Sequence, residues 1–146
     1  MLADKEQTVQ AMVADYLRYQ YPDIPFHSDF GSGVKLTVRQ ACMQKRQNGG
    51  RRAWPDMFIA SVRCENNSIY GGLFIELKRS GTRLTKRDGS PATNHIAEQG
   101  ITLNRLNQCG YVAKFAVGFD EAKAIIDQYL SLPQVLFIEK GGKLHE

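Results

Sequence analysis

Apolar residues recur along this chain with two periods, one of about 3.6 and one of about 2, and the switches between them mark its elements. Val9, Met12, Val13, Tyr16 and Leu17 keep a three–four spacing until "YPDIP" breaks it. They predict a first helix, with Asp4 as its N-cap and Gln7 in the capping-box position. "IPFHSDF" predicts a short strand ending at Gly31-Ser32-Gly33. Val34, Val38, Ala41, Cys42 and Lys45 predict a second helix over 34–47, stopped by Gly49-Gly50. "PDMFIASVR" reads as a buried strand, "ENN" as a turn and "IYGGLFIELKR" as the next strand, with a bulge or a close approach at Gly71-Gly72. "SGTRLTKRDGSPATN" has the composition of a long exposed loop, uncommon enough to suggest function. Asn94 stands as the cap of a helix running to about Gln108, with Ile96, Leu103 and Leu106 inward. "YVAKFAVG" is a strand. Asp120 then caps a last helix with Ala122, Ile125, Ile126, Tyr129 and Leu130 inward, and "QVLFIEK" is a final strand before the tail "GGKLHE". The order αβαββαβαβ predicts one α/β domain over residues 1–146, with a central mixed β-sheet flanked by helices.

Some polar residues fall where this pattern calls for apolar ones. On a helical wheel Glu6 lies about 60° from Val9 and about 20° from Val13, on the apolar edge. A first-turn Glu also favours a helix N-terminus for purely structural reasons. Gln99 sits between Ile96 and Leu103 at spacings of three and four, so its amide points inward and needs partners. On the strand, Leu73, Ile75 and Leu77 alternate with Phe74, Glu76 and Lys78. One face is aliphatic, and the other sets a carboxylate beside an ammonium, which in isolation is an ordinary polar strand face.

A regular hairpin centred on Asn66 pairs Asp56 with Glu76, although a bulge at Gly71-Gly72 would shift that register by one. Two carboxylates so close repel unless a proton or a cation lies between them. Lys78 follows on the same face, and no Cys or His joins the group. Hard oxygen donors alone favour Mg²⁺ or Mn²⁺ over zinc. Pro55 fixes the chain just before Asp56, where the strand starts.

Composition narrows the class. Hydrophobic residues make up 42% of 146, enough for one packed core. Cysteines number three, widely spaced and without CxxC, which argues against a disulfide framework or zinc knuckle and for small core or half-buried side chains. No apolar run approaches the roughly 20 residues of a membrane span, and "MLADKEQTVQ" lacks the order of a signal peptide. The expectation is a cytoplasmic protein with no membrane partner. Net charge is only +4, but the basic residues cluster in "KRQNGGRR" and "KRSGTRLTKR", which hold no acid. Lys45, Arg46, Arg51, Arg52, Arg79, Arg83, Lys86 and Arg87 are thereby candidates to neutralise phosphates, with a solvated loop surface as the equal alternative. His27 has no assigned role, His95 reads as a surface or helix-start residue that could also touch a phosphate, and the chain offers no histidine set of the kind an HNH nuclease needs.

"PD" followed by "ELK" resembles the PD-(D/E)xK nuclease motif. "GGRRAWPDMFIA", "GGLFIELKRSG" and "HIAEQGITLNRLNQCGYVAKFAVGFDEA" look like successive blocks of the VRR-NUC family within that superfamily, in its small stand-alone phage and bacterial form. The resemblance covers about Glu6 to Leu130. It implies a restriction-endonuclease-like core and a metal-dependent DNA endonuclease. Asp56 and Glu76 would hold Mg²⁺ or Mn²⁺, the backbone carbonyl of Leu77 would add a ligand, and Lys78 would orient water and stabilise charge. Glu6 and Gln99 match the early helical Glu and the later helical Gln, with Glu6 a further candidate ligand. Trp54 departs from the pattern, since many members have glycine before the PD. The resemblance also implies structure-selective cleavage of branched or flapped DNA, including Holliday junctions, by a homodimer in a bacterial or phage-infected cell. Two other readings stay open: a nuclease fold that holds DNA or a protein without cutting, and a nuclease subunit inactive without its partner.

Overall fold

A computed structural model describes residues 5–29, 35–50 and 53–137. Along them run α1 (Glu6–Gln20), β1 (Phe26–Ser28), α2 (Val38–Gln47), β2 (Met57–Ile59), β3 (Arg63–Glu65), β4 (Ser68–Tyr70), β5 (Leu73–Lys78), α3 (Asn94–Gln108), β6 (Val112–Val117) and α4 (Phe119–Leu130). Four strands form a sheet in the order β1-β2-β5-β6, and β3 and β4 form a separate ribbon. The β1–β2 and β2–β5 pairs are antiparallel and β5–β6 is parallel, so the sheet is mixed as the element order predicts. Among the described residues no helix is long and apolar enough to cross a membrane.

The helices follow from their apolar faces. Val9, Val13 and Leu17 of α1 and Ala122, Ile126, Tyr129 and Leu130 of α4 are buried with Met57, Ile59, Leu73, Ile75 and Leu77 in one cluster. Leu103 and Leu106 of α3 are buried on another cluster with Phe74 and Ala113, and Phe58, Tyr111 and Phe115 pack against it. β5 therefore has helices over both faces, and all six of its residues are buried, Glu76 and Lys78 included. The second face is thus covered, unlike the solvated polar face that Glu76 and Lys78 would make in isolation.

The outer ladder pairs Met57 with Ile75, Phe58 with Phe74 and Ile59 with Leu73. That is the register of a hairpin centred on Asn66. The inner ladder, Arg63 to Tyr70 through Glu65 to Ser68, turns between Asn66 and Asn67, with Asn66 at φ 53°. Residues 60–62 on one arm face only Gly71 and Gly72 on the other, and this unequal pair of insertions restores the register. Gly72 is also a close approach, because a Cβ there would lie 2.4 Å from the Phe58 ring and 2.9 Å from the Ile59 carbonyl oxygen.

Several boundaries differ from the sequence reading. Each of the two long predicted strands divides in two, at residues 60–62 and at Gly71-Gly72. Buried Arg63 explains the first break: its guanidinium turns inward, donating to Ser61 Oγ and to the carbonyls of Leu130 and Leu132 at the end of α4. Of the predicted final strand, Gln134 makes one bridge to Arg63, residues 135–137 form no strand, and 138–140 lie outside the described residues. Thr93, not Asn94, caps α3, accepting from the Ile96 N–H. Gly118 at φ 81° precedes α4, so Asp120 sits in its first turn rather than at its cap. The N-cap of α1 is Lys5 without a side-chain bond, and Asp4 and Gly31-Ser32-Gly33 lie outside the described residues. Thr37 and Gln40 close a capping box on α2, which buries no residue. Cys42 is accordingly exposed rather than in the core; Cys109, at the C-cap of α3, is exposed too, and Cys64 is half-buried. Within the loop 80–94, Thr85 bridges Pro91, Lys86 N–H donates to the Ser90 carbonyl and Asp88 accepts from the Ser90 N–H and hydroxyl.

Candidate active site

The paired carboxylates sit where β2 begins and β5 approaches its end. Met57↔Ile75 is the last ladder pair, so Asp56 lies next to Glu76. Asp56 Oδ2 accepts from the Leu77 backbone N–H at 2.8 Å. In an extended strand a residue's N–H and C=O lie on the same edge, so the Leu77 carbonyl is directed to that side too. Lys78 Nζ donates to Glu76 Oε1 at 3.0 Å and lies 3.7 Å from Glu6 Oε1. Gln99 Nε2, from the α3 side, donates to the same Glu76 oxygen. Its Oε1 is buried with no hydrogen-bond partner. Glu6, in the first turn of α1, completes the group: Glu6, Asp56 and Glu76 each offer an oxygen, all within 4.8 Å of one another.

All five predicted core site residues thus converge. Asp56, Glu76, Lys78 and Gln99 are each less than a tenth exposed, while the Glu6 side chain keeps 37% of its surface. The electrostatics record the crowding. Burial pushes the Glu76 carboxyl up to about 8, with the Asp56 charge acting the same way against the pull of Lys78. Burial also pushes Asp56 up to about 6, opposed by the Leu77 N–H and assisted by Glu6. The cluster lacks enough positive charge to keep both carboxyls ionised near neutrality. Three carboxylate oxygens at one point, with an unpartnered amide oxygen beside them and no thiolate or imidazole among them, fit a hard divalent cation.

These carboxylates line a cleft of about 600 Å³, bounded also by α2, Trp54 and the start of α3. Of the predicted DNA-contacting residues, Lys45 lines it. Arg46, Arg79, Arg83, Lys86 and Arg87 are exposed outside its lining, and Arg51 and Arg52 lie outside the described residues. Sequence reasoning missed Asp29, which lines the cleft, as does His95, an exposed residue at the start of α3 as expected. Asp29 arrives because β1 pairs with β2 and its N–H donates to the Asp56 carbonyl at 2.8 Å. Gln10 holds that segment, donating to Ser28 Oγ and the Asp29 carbonyl. No periodicity announces a three-residue edge strand's partner, so nothing in the sequence pointed to Asp29. His95 follows from its place in the first turn of α3, two residues after the cap.

No protein-family model matches this chain, and no curated protein matches it. A solved structure titled "VRR_NUC domain protein" is similar in fold: TM-score 0.62, 23% identity, covering 91% of this chain and 93% of that one. The two share a mixed α/β architecture around a central sheet.

Proposed function

We propose that this chain is a VRR-NUC-type nuclease, a metal-dependent endodeoxyribonuclease whose active site is the cluster Glu6, Asp56, Glu76, Lys78 and Gln99. The observation that carries the reading is the meeting of three carboxylates within 4.8 Å of one another, with a buried lysine 3.0 Å from Glu76. That combination matches the needs of phosphodiester hydrolysis: a cation site, a fixed positive charge and a hydrogen-bond acceptor for water.

Asp56 and Glu76 would hold Mg²⁺ or Mn²⁺, with Glu6 and the Leu77 carbonyl completing the protein's share. A divalent cation there supplies Lewis acidity toward a phosphodiester oxygen and lowers the pKa of bound water. Lys78, tethered between Glu76 and Glu6, places its ammonium beside the position where negative charge develops on the phosphate. Gln99 is the positioning residue: its Nε2 holds Glu76, and its buried, unpartnered Oε1 would accept a hydrogen bond from the attacking water. Lys45, Arg46, Arg79, Arg83, Lys86 and Arg87, with Arg51 and Arg52, would bind DNA phosphates. Selection by DNA structure, as in branched or flapped substrates, is the proposed mode. A homodimer would match the symmetry of a four-way junction.

The test is a panel of junction, flap, single-stranded and duplex DNA with Mg²⁺ and with Mn²⁺. Asp56→Ala and Glu76→Ala should abolish cleavage and keep DNA binding. Full cleavage by either variant would refute the assignment, and a native protein inert on every substrate would favour a binding module instead.

A further inference from the structure

Trp54 is a large cleft-lining side chain for which hydrolysis has no use. It is the sole tryptophan of the chain, and 45% of its surface is exposed. It stands two residues before Asp56 and lines the same cleft as the three carboxylates. Its ring is anchored. The indole meets Phe74 edge-to-face, with centroids 5.4 Å apart and planes at 83°. Phe74 in turn stacks on Phe58 at 4.4 Å and meets Tyr111 at 5.1 Å. The inner rings belong to the core over β5, so the outermost one is presented to the cleft on a rigid base. A rigid aromatic face costs little ordering entropy when a flat ligand settles on it.

Asp56 and Glu76 are 8% and 2% exposed, so a phosphate must enter the cleft to reach them, and the attached nucleoside follows it. A cleft of about 600 Å³ is in the range that accommodates small ligands, room enough for a nucleoside beside the carboxylates. Lys45 on the α2 wall offers a cation to the entering backbone.

We infer that Trp54 is a stacking platform for an unpaired base beside the scissile phosphate, so the site takes DNA with a single-stranded or frayed nucleotide at the cut. This rests on the nuclease reading for the identity of the ligand. Stacking on an aromatic side chain is tolerant of sequence, which agrees with selection by DNA structure.

Because Trp54 is the chain's sole tryptophan, its emission reports stacking directly, and EDTA removes cleavage from the measurement. The native protein is titrated with an oligothymidylate of about 12 nucleotides, with the same strand carrying abasic sites, and with a blunt duplex. The intact single strand should quench the indole, and the abasic strand and the duplex should quench it far less. Trp54→Ala should weaken single-strand binding by about 5- to 100-fold, read by anisotropy of a labelled strand. Trp54→Phe should restore most of that affinity. With Mg²⁺ on a flapped substrate, Trp54→Ala should raise KM much more than it lowers kcat. Unchanged emission together with equal affinity of native protein and Trp54→Ala would overturn the platform, even if the enzyme cuts. Quenching by a protein that cuts nothing would sink the nuclease reading and leave the platform standing.

Discussion

Replacing Glu76 by Gln should destroy the enzyme and stabilise its metal-free fold, and the size of the gain should depend on pH. In the folded protein the carboxyl holds its proton up to about pH 8, against an ordinary value of 4.5. The unfolded chain gives that proton up near 4.5. Folding therefore takes up a proton between those limits, and the stability that this supplies is fully present below 4.5 and is lost as pH rises to about 8. The whole interval corresponds to about 5 kcal/mol. Part of it is shared with Asp56, and ionised Glu76 regains some through Lys78, so about 2 kcal/mol is a reasonable net penalty at high pH. Gln loses no proton and keeps an oxygen to accept from Gln99. For a chain of this size the difference is about 4–8 °C in Tm. Thermal unfolding in EDTA should show Glu76→Gln ahead of the native protein near pH 8.5 and level with it near about pH 5. Mg²⁺ should reverse the order at high pH, since ligand binding stabilises only a site able to hold it. A variant less stable than the native protein by the same amount at both pH values would refute the reasoning. It would mean that the Lys78 pairing outweighs burial.

Metal affinity should rise with pH up to about 8, because Asp56 and Glu76 must lose protons that burial helps them retain; calorimetry with Mn²⁺ should show proton release that changes with buffer, and pH-independent binding would contradict it. Gly72→Ala should cost about 1–3 kcal/mol, since the new methyl meets the Phe58 ring and the Ile59 carbonyl, and an unaltered melting curve would show that the ring moves aside freely. Neutralising Lys86 and Arg87 together should lower the slope of log affinity against log salt by about 2, whereas an unchanged slope would remove them from the DNA interface. Gln99→Leu, which keeps the bulk and deletes both polar atoms, should lower kcat by about 10- to 1000-fold with little change in DNA affinity; a shift in KM alone would assign Gln99 to substrate binding.

Helices α1 and α3 were legible because a helix declares its buried face locally: Val9, Val13 and Leu17, or Ile96, Gln99 and Leu103, need no partner to be recognised, whereas α2 buries none of the apolar residues that predicted it. The site was legible for a different reason. Glu6 and Gln99 stood out as polar residues on apolar faces, and a hairpin's register follows from its turn. Even so, the Asp56–Glu76 pairing came out right through compensation, with the turn at Asn66-Asn67 offset by the unequal arms at 60–62 and Gly71-Gly72. The strand breaks were hidden because buried Arg63 looks polar and outward in the sequence, although it satisfies the carbonyls ending α4. Alternation alone left the second face of β5 ambiguous, because it cannot tell a solvated carboxylate from one covered by a helix; the inward Glu6 and Gln99 resolved it. Asp29 was invisible because its neighbour is chosen by sheet order alone.

The contrast between β5 and α2 carries a consequence for how this molecule breathes. Glu76 and Lys78 lie on an interior strand hydrogen-bonded along both edges, so their amides should exchange with deuterium only when the whole domain opens. α2 forms the opposite wall of the cleft, buries no residue and should exchange through local fraying at a small fraction of that free energy. One wall of the cleft is therefore as durable as the fold itself. The other can open many times between global unfolding events, which would let a bulky ligand enter and leave without disturbing the buried carboxylates.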